Sequence, residues 1–72
     1  MEELLVGLLV ELRDALVLRI RALPLLKRWE ALESNDLQCL LDMLDPSHPM
    51  CCTRIDTAWA AHESAMETLK AL

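Results

Sequence analysis

The residues with most chemical potential are three cysteines, Cys39, Cys51 and Cys52, and two histidines, His48 and His62. Thiolate and imidazole are the usual ligands of zinc, and structural sites present them in closely spaced pairs. His48 and Cys51 have such a spacing. No second pair accompanies them, and on a helix Cys52 would point about 100° away from Cys51. A thiol nucleophile would need a base, an orienting acid and an enclosing pocket. His48 is near in sequence, and a cysteine in a helix's first turn can have a lowered pKa, but no Gly-rich loop or oxyanion arrangement goes with it. His62 reads as a half-buried side chain bonded to a carbonyl or to Glu33 or Asp36. These patterns lead us to expect no catalytic residues, no metal and no cofactor, hence a non-enzymatic chain.

An odd cysteine count, with two of the three adjacent, also argues against a disulfide framework. Reduced thiols belong to a reducing compartment. Glu2 and Glu3 are opposite in sign to the basic start of a signal peptide, and charges interrupt every apolar run before it reaches spanning length. The expected location is cytoplasmic, with no membrane span.

What elements would carry these residues follows from composition. The chain has 72 residues, 54% of them hydrophobic, with 17 leucines, one glycine and neither Phe nor Tyr. Strands favour β-branched and aromatic residues and need frequent turns, whereas Leu, Ala, Glu, Arg and Met are strong helix formers. The expectation is a single all-α domain over residues 1–72, a small three-helix hairpin or bundle. Its helices are placed at about 2–23, 25–44 and 50–71, with a Pro-containing loop at 45–49. Pro24 suits an elbow or a kink, and an elbow is favoured. Ser47 is the expected N-cap of the last helix. Ser34-Asn35-Asp36 offers a second break, with Asn35 capping. Against it, Leu25, Leu26, Trp29, Leu32, Leu37, Leu40, Met43 and Leu44 share one stripe if helical phase runs straight through, so one helix is favoured.

The first helix is apolar around most of its circumference, beyond the roughly 100° stripe of an ordinary surface helix. The last helix offers mainly small residues to cover it, on a face expected to hold Cys51, Ile55, Ala58, Trp59, His62, Ala65, Met66 and Leu69. A chain this short buries only about 60% of its unfolded surface, so some apolar surface should remain for contact with another molecule. The surface expected to self-associate is Leu5, Leu8, Leu9, Leu12, Leu16 and Ile20, forming a homodimer. Arg19, Arg21, Lys27 and Arg28, with Trp29 and Trp59, are the candidate partner-binding residues.

Two LxxLL stretches, Leu5–Leu9 and Leu37–Leu41, resemble the helical boxes by which coactivators dock on nuclear receptors, but the same leucines serve a core. The Ala31–Leu37 stretch is loosely similar to flagellar export chaperones over about one helix, and it carries no diagnostic motif of that family. The functional expectation is a small protein-binding regulator (an inhibitor, anti-activator or adaptor) acting through apolar helix contacts. The alternatives are an export or assembly chaperone, or a structural subunit of a larger complex. Twelve acids against seven bases disfavour nucleic acid as the main partner.

Overall fold

Nineteen residues rich in Leu, Val and Arg form α1 (Glu3–Arg21) in a computed structural model that describes residues 2–72. Leu5, Leu9, Leu12, Leu16 and Ile20 recur every three or four residues and are buried on one side of it, the spacing that lines one helix face. Ala22, Leu23 and Pro24 then leave the helical path, and α2 (Leu25–Glu33) starts after the proline, where a missing N–H costs nothing. Arg28 fastens this elbow. Its Nη2 donates to the carbonyl of Arg21 at 2.8 Å and reaches that of Leu23 at 3.4 Å, placing a cation on the negative end of α1.

The second arm is two helices, so the described residues form four rather than the three expected from sequence. A break at Ser34 separates α2 from α3 (Asn35–Met43). Ser34 has extended ψ (115°), and its Oγ accepts from the Leu37 N–H at 3.2 Å. It is therefore the N-cap of α3, the role expected of Asn35. Ser, Asn and Asp in a row compete with helical hydrogen bonding through their own side chains, and here that competition outweighs phase continuity. Gln38 Nε2 donates to Asp42 Oδ1 one turn on, at 3.1 Å.

The third expected helix also begins later. Residues 45–54 form a loop, and α4 spans Ile55–Lys70. Ser47 caps no helix: its N–H and Oγ both donate to Asp45 Oδ1, at 3.0 and 2.7 Å, closing a side-chain turn. The Cys52 N–H donates to the Met43 carbonyl at 2.7 Å and its side chain is buried. That bond ties the loop to the end of α3 and keeps a helix from starting at Met50.

The inner face of α4 is Ala58, Ala61, Ala65 and Leu69, rotated from the expected face so that Ile55 and Trp59 lie outside. Small side chains on α4 let its axis come close to the leucine ridge of α1, and these two helices form the most extensive pair. They run in the same direction. Glu2 and Leu5 lie beside Ile55 and Trp59 at one end, and Arg19 and Leu23 beside Leu69 and Lys70 at the other. Helices α1 and α3 each pack on α4 but scarcely on each other, which leaves a gap between them.

Two stability changes follow. Removing the cap with Ser34→Ala should cost about 1 kcal/mol in urea unfolding. Gly7 is exposed mid-helix, and an added Cβ would meet nothing within 4 Å, so Gly7→Ala should add about 0.5–1 kcal/mol in the same measurement.

Candidate functional site

The core fixes what is left for a partner. Leu5, Leu9, Leu12, Leu16 and Ile20 are each at most 5% exposed, and Leu8 is half-buried against them. The stripe assigned to self-association thus forms the chain's own interior, because the alanine face of α4 covers it. Both LxxLL stretches are used likewise, with Leu37 and Leu41 buried and Leu40 half-buried.

The densest part of the apolar surplus sits on α2, although Leu4, Val10 and Leu18 of α1 and Met50, Ile55 and Trp59 are exposed as well. Leu25 (64%), Leu26 (80%), Trp29 (57%) and Leu32 (58%) are all exposed, and Ala31 is the helix's one buried residue. At 100° per residue the four large side chains share one side of the helix. The sequence puts them on one stripe with Leu37, Leu40, Met43 and Leu44 of a continuous helix, and of the four only Trp29 is expected at a partner surface. Once Ser34 breaks the helix, α3 buries Leu37 and Leu41 while the face of α2 turns outward.

The charges of α2 are also unusual. Lys27 and Arg28 lie in its first half and Glu30 and Glu33 in its second, with no acid in the first turn and no base in the last. That order opposes the helix dipole.

The basic residues expected at the elbow are separated into two clefts. Arg19 and Lys27 join Lys70 around Leu23, Leu69 and Leu72, in a cleft of about 400 Å³. Arg21 and Arg28 join Arg13 around the gap between α1 and the α2–α3 arm, about 440 Å³, floored by Val17, Ile20 and Leu41 and walled by Leu32. Together the clefts take six of the chain's seven cations, and no Asp or Glu lines either. The seventh, Arg54, pairs with Asp56 at 3.0 Å. Arg13 had not been expected at a binding surface. The available signal was its place among apolar residues, away from the polar stripe of α1.

The two tryptophans are far apart in role. Trp29 belongs to the exposed face of α2, and Trp59 stands edge-on to His62, with ring centroids 5.9 Å apart and planes at 86°. That contact takes the place of the bond to a carbonyl, Glu33 or Asp36 expected of His62. His48 Nδ1 accepts from the Met50 N–H at 3.0 Å, and its Nε2 lies 3.7 Å from Asp42. Among the described residues, no three His, Cys, Asp or Glu side chains gather closely enough to share a metal ion, and no helix is long and apolar enough to cross a membrane.

The thiols occupy three environments: Cys39 exposed, Cys51 half-buried and Cys52 buried. Burial pushes the Cys52 thiol up, and the neighbouring Cys51 adds to this. In the loop, hydrogen bonds from Ser47, first the side chain and then the backbone, hold Asp45 below its ordinary 3.8.

Compared with protein-family models, with curated proteins and with solved structures, the chain matches none.

Alkylation of the native chain, read by mass spectrometry, should modify Cys39 first, Cys51 next, and Cys52 only on unfolding. Because the folded value of Asp45 is depressed, its stabilising effect is present above pH 3.8 and is lost as the pH falls below that toward the folded value. Asp45→Ala should therefore lower stability at neutral pH and flatten the acid limb of the stability curve, with the two proteins converging at the acid end.

Proposed function

We propose that this chain is a small non-enzymatic protein-binding regulator, an inhibitor, anti-activator or adaptor, that works through apolar helix contacts as a homodimer. The observation that carries this is the outward face of α2, where Leu25, Leu26, Trp29 and Leu32 are each more than half exposed. Exposed leucines and tryptophans gathered on one short helix are the usual anchor chemistry of a protein interface.

The second copy is favoured as an occupant by the charge order of α2. Its basic first half and acidic second half oppose its own dipole, and an antiparallel α2 from a second copy reverses the mismatch. Glu30 and Glu33 of one protomer then lie toward the helix start of the other, and Lys27 and Arg28 toward its end. A twofold axis would pass near Trp29, the middle residue of the nine, with Leu26 of each protomer level with Leu32 of its partner. The interface is small and the expected association is correspondingly weak, on the order of micromolar.

Sedimentation velocity over a range of concentration tests this. The native chain should shift from one to two chain masses as concentration rises. Leu26→Glu, at the most exposed of the four positions, should stay at one chain mass with an unchanged circular dichroism spectrum. A native chain that remains at one chain mass at high concentration would overturn the dimer.

A further inference from the structure

The groove between α1 and the α2–α3 arm suits an occupant unlike any surface used above. Its floor and wall are apolar, from Val17, Ile20, Leu41 and Leu32, and its rim carries Arg13, Arg21 and Arg28 with no acid among the lining residues. This is a cationic island on a chain of net charge −5.

The guanidiniums have unused capacity. Among the described residues, Arg13 and Arg21 form no ion pair, and the buried Nε–H groups of Arg13 and Arg28 have no acceptor. Arg28 spends part of its fork on the Arg21 and Leu23 carbonyls, which holds it in place. The gap itself has the form of a bundle lacking a helix, since α1 and α3 both pack on α4 and hardly meet. From Arg13 to Arg21 the rim extends about 12 Å along α1, some two turns of a docked helix.

We propose that this groove docks an acidic amphipathic helix of a second protein. That helix would set leucine-like anchors, spaced one and two turns apart, on the Val17–Ile20–Leu41 floor, with carboxylates on either flank meeting Arg13, Arg21 and Arg28. Charge complementarity selects it. A basic helix would place like charges over three arginines, and an uncharged one would leave them facing apolar surface. A membrane is disfavoured by concavity, because the floor lies recessed between two helices. The groove and the self-association face share Leu32, but Arg13, Arg21 and the Val17–Ile20–Leu41 floor belong to the groove alone and Leu26 to the self-association face alone, so Arg21→Glu and Leu26→Glu separate the two.

The test uses two labelled synthetic peptides with leucines at i, i+4 and i+7, one with glutamates at its other surface positions and one with lysines there. Vesicles of phosphatidylglycerol form the third arm. Binding is read by fluorescence anisotropy for the peptides and by co-sedimentation for the vesicles, on the full chain and on its Leu26→Glu variant. The glutamate peptide should bind both proteins, more weakly as salt rises, and the lysine peptide should bind at least about tenfold more weakly. Arg21→Glu, at an exposed position, should weaken the glutamate peptide about tenfold with helicity unchanged. Arg13→Gln, at a half-buried one, should weaken it by a smaller factor. Equal binding of both peptides, no peptide binding, indifference to Arg21→Glu, or retention by vesicles in place of the peptide would each overturn the proposal. Binding of the glutamate peptide by a chain that never dimerises would keep this proposal and remove only the self-association reading.

Discussion

The helix break at Ser34, capped by the hydrogen bond from the Leu37 N–H to Ser34 Oγ, divides the surface this chain keeps from the one it offers. The residues on either side of Ser34 have a common apolar phase and could have formed one amphipathic helix with all of its leucines inward. The cap makes a helix start at Asn35 worth about 1 kcal/mol more than it would be without one, and it fixes Ser34 in an extended conformation that a continuous helix cannot contain. Downstream of it, Leu37, Leu41 and Leu44 enter the core; within α2, upstream, only Ala31 does. A local preference at one residue is thereby converted into an exposed apolar helix.

The packing of α1 against α4 supplies the other half of the arrangement. Leucines on α1 meet alanines on α4, large against small, and the two axes come close. This satisfies the buried side of α1 with one neighbour. The α2–α3 arm is then free to lean on α4 and on the elbow without closing against α1, and the arginine-rimmed gap is the consequence. The cations collect around this end of the fold, in two clefts, because α1 ends in Arg19 and Arg21, α2 begins with Lys27 and Arg28, and the parallel α4 brings Lys70 to the same end. Arg28 has two roles, capping the carbonyls of α1 and lining the groove, so the elbow's geometry and the groove's charge depend on the same side chain.

Much of this was legible from residue types. Helix content, the elbow at Pro24 and the excess of apolar surface follow from propensity, proline geometry and the ratio of surface to volume. Where the excess would lie was not. Periodicity alone places Leu5, Leu9 and Leu16 and Leu25, Leu26 and Trp29 on equally apolar stripes, and which stripe is covered depends on whether a facing helix can approach. The alanines of α4 settle this for α1, and their role becomes visible only once α4 is known to begin at Ile55. The Ser34 break sets the local preferences of Ser34, Asn35 and Asp36 against a continuous apolar phase, and composition does not rank them. Arg13 and Arg21 share a face of α1 at i and i+8, but that Arg28 joins them across the gap needed the third dimension.

Leaving four large side chains of α2 in water is expensive for so small a fold. Each forgoes on the order of 1–2 kcal/mol of burial, against a net stability that for small domains is typically only about 5–15 kcal/mol. The same feature that makes α2 available to a partner therefore leaves it the least anchored helix, joined to the rest at the elbow, at Ala31 and at the Ser34 cap. A helix of nine residues is too short to be stable by its own hydrogen bonds, and its charges oppose its dipole, so its order rests on contacts from outside itself. Whatever covers its apolar face adds to its stability in proportion to occupancy. Association and folding of α2 are in this sense one equilibrium, and a partner that docks there stabilises the helix it binds.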